Sequence, residues 1–355
     1  MPASSVVKHP RRLLILRFSA LGDVAMTVPV VASLAAQYPQ MQIAVASQPF
    51  LAPLFEHIGP NVKFFGADIR KTYRGLRGLW KLSRTAPFQD CNAVADLHDV
   101  LRTKILRCFL RLRGKRLAVI DKHRREKRLL VEHKIFRPLP TSFALYAETL
   151  AHLGLPVKLN FERLKLGGDA LHLPFPFSTD TLHEPWLGLA PFAAHEGKIY
   201  PLEQMAEVVQ LYFELHPHGR LFVFGSRKEM EMLRPTWGKD FERLVFVCDI
   251  LKGLGAELQL MARLNAMVSM DSGNMHLASL VGCPVVSIWG QTHPFAGFMG
   301  YHQAEENVVQ QDLHCRPCSI FGNAPCRYGD FRCLRDILPQ LIIDKVEEII
   351  SPEQD

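Results

Sequence analysis

The sequence lacks the marks of a membrane-spanning or exported protein. No uninterrupted apolar run approaches the roughly 20 residues that cross a bilayer. The N-terminal segment has no apolar stretch typical of a leader peptide, and the apolar run 13–16 ends directly in Arg17. These absences predict a cytosolic protein.

Several nucleotide-binding signatures are also missing. The chain has neither a Gly-x-Gly-x-x-Gly fingerprint nor a Gly-x-x-x-x-Gly-Lys-Ser/Thr loop, which argues against a dehydrogenase and a P-loop NTPase. It contains no Asp-x-Asp pair, so no divalent cation held by such a motif is indicated. We expect no cofactor. No internal repeat indicates a solenoid.

The length of 355 residues suits about two domains, each with its own core. Short runs rich in Val, Ile and Phe alternate with longer amphipathic stretches, as in a parallel sheet covered by helices. We predict two doubly wound α/β domains, at 11–170 and 171–355, joined by a linker at 167–180. The predicted strands are 13–16, 43–46, 62–65, 93–97, 117–120, 187–189, 221–224, 244–247, 267–270 and 285–289.

Positive charge is concentrated in one segment. The formal net charge is +7, yet residues 102–137 carry 14 Lys or Arg and three acids, a local charge of +11. This predicts a polyanionic partner, either nucleic acid, an anionic membrane surface or a phosphorylated glycolipid. A solvated helix face is the alternative. The only aromatic residues in the segment are Phe109 and Phe136, which disfavours nucleic acid because bases need stacking partners.

Three polar motifs follow predicted strands, where ligands of α/β proteins bind. Asp23 lies where a loop becomes a helix, so it is either a helix N-cap or a functional carboxylate. Lys198 lies in a loop before Pro201 and is either a solvated lysine or a cation for a diphosphate. Two further polar stretches are 69–77 and 96–104.

The third motif is Asp271-Ser272-Gly273-x-x-His276. A helix that opens on such a glycine turn presents free N–H groups and its positive dipole end, which suits a pyrophosphate. Asp271 can orient a ligand hydroxyl, and His276 can point toward the same ligand. An ordinary connection between strand and helix is the alternative.

The eight cysteines fall into two groups. Four lie within 19 residues and open with Cys-x-x-Cys; zinc, one or two disulfides and free thiols are the alternatives for them. The clustered residues are Cys315, Cys318, Cys326 and Cys333. The others are expected to be buried small apolar side chains. They are Cys91, Cys108, Cys248 and Cys283.

In this order, the motifs resemble family 9 glycosyltransferases, the ADP-heptose:lipopolysaccharide heptosyltransferases. The resemblance extends from Leu13 to about Val346. Its strongest marks are Gly22-Asp23 with Thr27 and Pro29, Lys198 to Pro201, Asp271-Ser-Gly-x-x-His276, Gly282-x-Pro284 and Gly290-x-Thr292-x-Pro294. The resemblance implies a GT-B fold of two Rossmann-like domains facing a cleft, with the acceptor on the first domain and the nucleotide-sugar on the second.

The resemblance also implies residue roles. Asp23 would be the general base. The donor-binding residues would be Lys198, Asp271, Ser272, Gly273 and His276. Acidic sugars of the acceptor would contact Arg70, Lys71 and Arg74. The chain departs from many members at Asn274, where they have proline, and at 193–197, which lacks a Ser/Thr pair.

The implied reaction is inverting transfer of heptose from ADP-heptose to the lipopolysaccharide inner core. Attack by an acceptor hydroxyl requires a base, and departure of a nucleoside diphosphate requires positive charge. Asp23 and Lys198 meet these needs without a metal ion. We therefore expect a cytoplasmic enzyme in peripheral contact with the anionic inner membrane face and no nucleic-acid partner. The alternatives are a transferase for another nucleotide-sugar and a nucleic-acid-binding protein that uses 102–137.

Overall fold

The computed structural model describes residues 9–167, 185–240 and 243–351. The described chain forms two compact units. The first contains residues up to 122 and residues 140–167; the second contains 123–139 and the rest of the C-terminal half. Apart from Gly167, the predicted linker lies outside the described residues.

Each unit contains one parallel sheet, as the alternation of apolar runs predicts. All ten predicted strands form, and no strand end differs from its prediction by more than one residue. The strands are β1 (Arg12–Leu16), β2 (Gln42–Ser47), β3 (Val62–Gly66), β4 (Ala93–Asp96), β5 (Arg116–Val119), β6 (Trp186–Ala190), β7 (Arg220–Val223), β8 (Leu244–Phe246), β9 (Ala266–Met270), β10 (Val285–Trp289) and β11 (Val308–Gln310). Strand β11 was not predicted because three residues at a sheet edge give too short an apolar run.

The strand orders are β3-β2-β1-β4-β5 in the first unit and β11-β10-β9-β6-β7-β8 in the second. The central strands β1 and β9 are almost wholly buried because helices cover both faces of a doubly wound sheet. All registers are parallel, so the carboxyl ends of neighbouring strands meet at one edge. This edge positions Asp23 in the first unit and Asp271 in the second.

The helices separate the strands along the chain. They are α1 (Leu21–Ala25), α2 (Thr27–Gln37), α3 (Gly75–Leu82), α4 (Ala86–Asp90), α5 (Leu101–Arg111), α6 (Arg124–Val131), α7 (Ser142–Ala151), α8 (Leu202–Leu215), α9 (Arg227–Asp240), α10 (Val247–Ile250), α11 (Leu254–Met261), α12 (Gly273–Leu280), α13 (Arg332–Arg335) and α14 (Pro339–Ile350). Among the described residues, no helix has the length and apolar character needed to span a membrane.

Residues 123–139 fall inside the predicted first domain, 11–170, but pack with the second unit. Leu130 and Leu139 join Ala296 in a small apolar cluster. The N–H of Leu139 donates to the carbonyl of Phe295 at 2.9 Å. Contacts between distant parts of the chain cannot be predicted from the local apolar pattern. That pattern therefore assigned residues 123–139 to the first domain, together with the residues on either side of them.

Candidate functional site

The first cluster of polar side chains lies beyond the carboxyl end of β1. Asp23 is the third residue of α1, and its Oδ2 accepts a hydrogen bond from the N–H of Ala20 at 3.1 Å. Ala20, not Asp23, is the N-cap residue. Asp23 therefore supports the start of the helix from its third position, while 31% of its side chain remains exposed.

The buried Arg17 forms an ion pair with the Asp23 carboxylate. Its side chain is 7% exposed, and its Nη2 lies 2.5 Å from Asp23 Oδ2. The other guanidinium nitrogen, Nη1, donates to the carbonyl of Leu97 at 2.5 Å, just past the neighbouring strand β4. A buried charge requires an opposite charge and hydrogen-bond acceptors. Arg17 has both, and it fixes the carboxylate at the edge of the sheet.

His98 lies beside this pair. It is buried, and its Nε2 is 3.3 Å from Ser19 Oγ. Burial, together with the positive charges of Arg17 and Lys122, lowers the pKa of His98 to about 4. The imidazole is therefore neutral at pH 7 and adds no charge next to Asp23.

Two contacts around this cluster were not predicted. The fully buried Tyr146, on α7, donates from its hydroxyl to the carbonyl of Asp23 at 3.2 Å. Asp96, also fully buried, accepts from the N–H of His98 at 2.9 Å and pairs with Arg107 at 3.1 Å. Asp96 and His98 belong to the polar stretch 96–104. Nothing in the sequence marks Tyr146, because its position in an apolar helix also suits an ordinary core residue.

The predicted acceptor residues Arg70, Lys71 and Arg74 lie on an exposed turn after β3. Asp68 shapes the turn by accepting hydrogen bonds from the N–H groups of Arg70 and Lys71, at 3.0 and 2.9 Å. Because β1 and β3 are parallel, the turn lies at the same edge of the sheet as Asp23. No hydrogen bond or ion pair among the described residues joins its three basic side chains to Asp23.

The second cluster lies at the carboxyl ends of β6 and β9, which are neighbours. Lys198, in a short 3-10 turn after β6, has its Nζ 2.8 Å from Asp271 Oδ2 and 3.2 Å from the Asp271 carbonyl. Thr292 donates from Oγ1 to the same carboxylate oxygen at 2.9 Å. Lys198 is thus no solvated loop lysine: its side chain is 14% exposed and held by a buried acid.

Helix α12 begins directly after Asp271 and Ser272. Ser272 is its N-cap residue, but its side chain makes no capping hydrogen bond to the first turn. Gly273 begins the helix, and His276 lies buried in its first turn. The amino end of α12 therefore has no side-chain acceptor from its own cap, which suits it to an anionic ligand.

A loop after β10 closes tightly against the turn that carries Lys198. The N–H of Gln291 donates to the carbonyl of Gly197 at 2.8 Å. A β-carbon at Gly197 would lie 2.0 Å from Gln291 Oε1, and one at Gly290 would lie 2.5 Å from the Gly197 carbonyl. At Gly290 a β-carbon would meet backbone, so only glycine allows the approach there, whereas at Gly197 the Gln291 side chain would have to shift.

The cysteine-rich segment 315–333 packs on the same turn. The N–H of Cys318 donates to the carbonyl of Gln291 at 3.1 Å. Gly322 has a φ of +75°, and a β-carbon there would lie 2.5 Å from Lys198 Cγ. The segment therefore packs against the aliphatic part of the Lys198 side chain.

The buried Arg316 stabilises the cysteine-rich segment. It is 4% exposed and donates to carbonyl oxygens of Trp289, Gly290 and Thr292 around the end of β10. Burial lowers the pKa of its guanidinium. Neither this role nor the pairing of Arg17 with Asp23 was predicted, because an isolated arginine has no pattern that distinguishes it from a surface residue.

All eight cysteines are free. In the part of the chain that the structure describes, no three His, Cys, Asp or Glu side chains form a group that could hold a metal ion. For Cys315, Cys318, Cys326 and Cys333, the choice between zinc, disulfides and free thiols stays a prediction. The prediction of burial is confirmed for Cys91 and Cys283, whereas Cys248 is only half-buried. It is wrong for Cys108, which is exposed because it lies on the side of α5 opposite Leu106 and Leu110.

Comparisons with known proteins agree with this architecture. Residues 108–324 match the profile of glycosyltransferase family 9 (heptosyltransferase). The lipopolysaccharide core heptosyltransferase OpsX of Haemophilus influenzae is 25% identical over 80% of this chain and 80% of its own length. A lipooligosaccharide heptosyltransferase 2 of Campylobacter jejuni is 22% identical over 94% of this chain and 97% of its own length.

Solved structures show the same fold. A family 9 glycosyltransferase from Veillonella parvula has a TM-score of 0.72 at 19% identity and covers 96% of this chain and 97% of its own. The E. coli ADP-heptose heptosyltransferase II has a TM-score of 0.67 at 19% identity, over 97% and 100% of the two chains. The two parallel-sheet units therefore define a glycosyltransferase of the GT-B type. Within that class, the chain belongs to glycosyltransferase family 9, the heptosyltransferases.

Proposed function

We propose that this glycosyltransferase transfers heptose from ADP-heptose to the inner core of lipopolysaccharide and inverts the anomeric centre. One observation carries the proposal. One ion pair lies at the edge of each sheet. The more exposed partner is the Asp23 carboxylate in the first unit and the Lys198 ammonium in the second. A sugar transfer needs these two charges, one for the acceptor proton and one for the leaving diphosphate.

On the acceptor side, Asp23 removes the proton of the attacking hydroxyl. The new bond joins the acceptor oxygen to the anomeric carbon, while the bond from that carbon to the donor phosphate oxygen breaks. Arg17 keeps the carboxylate oriented through its 2.5 Å contact. A single displacement from the face opposite the diphosphate gives inversion.

On the donor side, Lys198 and the amino end of α12 stabilise the charge on the departing ADP. Asp271 Oδ2 lies 2.8 Å from Lys198 Nζ and would keep the ammonium group in position. Ser272 and Gly273 bring the first turn of the helix to the diphosphate, and His276 contacts the donor from the same turn. In this scheme positive charge comes from the protein itself, so we propose that transfer needs no divalent cation.

Basic side chains of the first unit would bind the acceptor. Arg70, Lys71 and Arg74 are exposed and would bind acidic sugars of the lipopolysaccharide core. The basic segment 102–137 would hold the enzyme on the anionic inner face of the cytoplasmic membrane. Its two parts belong to different units, since residues 102–122 lie in the first and 123–137 in the second.

A panel of nucleotides and nucleotide-sugars tests the donor. A ligand that binds only the folded protein raises stability by about 2.7 kcal/mol at 100 times its dissociation constant. We expect ADP and ADP-heptose to raise the melting temperature more than UDP, GDP or their sugars. ADP release with a heptose-free lipopolysaccharide acceptor, with and without EDTA, then tests transfer. Stabilisation by UDP-sugars alone would support a transferase for another donor.

A further inference from the structure

The outward side of α3 combines apolar and basic side chains. The helix buries Leu79 and Leu82 against the sheet. Its exposed side chains, with Arg84 just beyond its end, are Leu76, Arg77, Trp80, Lys81 and Arg84. Trp80 is 47% exposed and Leu76 65% exposed. At 3.6 residues per turn, this spacing puts all five on one side of the helix.

Helix α5 presents a similar side. It buries Leu106 and Leu110. Its exposed side chains on the opposite side, with Leu112 at its end, are Leu101, Lys104, Cys108, Arg111 and Leu112. Leu101 is 74% exposed and Leu112 81% exposed. These two are among the most exposed large apolar side chains of the described chain.

The two sides form one surface, which we call the α3–α5 face. Both helices pack on the same face of the first sheet, since Leu79, Leu82, Leu106 and Leu110 share one core cluster. Arg113, just after α5, donates to the carbonyl of Ser83 and to its Oγ, the latter at 3.2 Å. This contact holds the carboxyl ends of the helices side by side, so Trp80 and Leu112 lie on neighbouring ends.

The charge of this face has one sign. No Asp or Glu occurs in residues 75–89 or 100–120. Exposed leucines and a tryptophan grouped on one surface favour an interaction site over a merely solvated helix side, and a single-stranded nucleic acid would need more aromatic side chains to stack on. Basic side chains mixed with Trp and Leu match an anionic lipid surface, which attracts the charges and accepts the apolar groups.

We propose that the α3–α5 face docks on an anionic lipid bilayer. The proposal rests on the proposed function only in that the acceptor is anchored in a lipid layer. The turn with Arg70, Lys71 and Arg74 leads directly into α3. Docking through α3 would therefore bring the predicted acceptor-binding residues to the level of the lipid head groups.

Trp80 supplies a label-free test. The other three tryptophans, Trp186, Trp237 and Trp289, are at most 7% exposed. Adding vesicles of phosphatidylglycerol and phosphatidylcholine should shift the emission to shorter wavelength and protect it from acrylamide, whereas pure phosphatidylcholine vesicles should do neither. The effect should weaken from 50 to 500 mM salt, because exposed charges are screened within about 10 Å at 0.1 M.

Matched variants locate the surface. Arg77→Ala with Lys81→Ala should weaken sedimentation with the anionic vesicles by about tenfold or more, since each basic residue near such a surface adds to the attraction. Trp80→Ala with Leu112→Ala should weaken it as well. The control Arg227→Ala with Lys228→Ala removes the same charge from exposed positions on α9 and should leave binding unchanged.

Equal loss in the control pair, or no binding by the unaltered protein, would overturn the proposal. Tight binding to duplex DNA at physiological salt that Arg77→Ala with Lys81→Ala abolishes would overturn it in favour of a nucleic-acid surface. Transfer to a delipidated, soluble acceptor separates this proposal from the function. All three double variants should keep that activity, whereas its absence in the unaltered protein would count against the function and leave vesicle binding as a separate result.

Discussion

The ion pairs of the two units differ in which partner is buried. In the first unit Arg17 is 7% exposed and Asp23 31% exposed, whereas in the second Asp271 is 4% exposed and Lys198 14% exposed. The buried member of each pair has further hydrogen-bond partners, Leu97 for Arg17 and Thr292 for Asp271. An ion pair thus exposes its carboxylate in the first unit and its ammonium group in the second.

The difference in burial indicates which residue of each pair can react with a ligand. A buried ion is costly to desolvate and is retained where its position matters. The more exposed partner can reach a ligand without breaking the core around it. By this argument we propose that Asp23 and Lys198 act on substrates, while Arg17 and Asp271 position them.

Replacing Asp23 by Asn should have the largest effect on activity. The amide keeps the shape of the side chain but cannot act as a base, so we expect turnover to fall by about 10² to 10⁴ fold. Affinity for ADP should stay near that of the unaltered protein, because Asp23 lies in the other unit from the proposed donor site. Steady-state kinetics and ADP titration measure the two quantities. A variant with normal turnover and a lower melting temperature would show that Asp23 only supports the helix.

Replacing Lys198 by Ala should lower kcat/KM by about 10² to 10³ fold, since it removes positive charge from the leaving diphosphate. Unlike Asp23→Asn, it should also weaken ADP binding. His276→Ala should weaken ADP binding without the full loss in turnover. Lys228→Ala, on the exposed side of α9, is the control. Comparable ADP affinity in Lys198→Ala and this control would remove Lys198 from the donor site.

Some of this arrangement follows from the sequence and some does not. Continuous apolar runs mark buried parallel strands, so ten strands could be predicted. Asp23 and Asp271 lie within a few residues of such runs, where site residues of α/β folds are found. The partners Arg17 and Tyr146 could not be assigned, because their roles depend on which strands and helices become neighbours. The same holds for residues 123–139, whose apolar contacts lie far along the chain.

Two glycines of the cysteine-rich segment 315–333 differ in whether they contact Lys198. Gly322→Ala would place a β-carbon 2.5 Å from Lys198 Cγ, so the lysine must move. Gly329→Ala has a similar positive φ, +71°, but nothing lies within 4 Å of its β-carbon. Both variants carry the same backbone strain, so their difference isolates the contact with Lys198.

We expect Gly322→Ala to lower kcat/KM by about tenfold relative to Gly329→Ala, because small displacements of a catalytic group have large effects on rate. The melting temperatures of the two variants should differ less than their activities. If the two have equal kcat/KM while Lys198→Ala is impaired, the cysteine-rich segment does not position Lys198.

The smallest expected effect compares two buried histidines, one in each unit. Burial lowers the pKa of His98 and of His293 to about 4, from 6.5. The unfolded chain takes up these protons near pH 6.5, and the folded protein only near pH 4. The stabilisation from a neutral histidine is therefore complete above pH 6.5 and is lost as the pH falls toward 4. For His98 this amounts to at most about 3 kcal/mol.

His98→Asn should flatten the fall in melting temperature between pH 6.5 and 4.5, and His293→Asn should do so for the second unit. Parallel curves for His98→Asn and the unaltered protein would show that this imidazole is protonated equally in the folded and unfolded states.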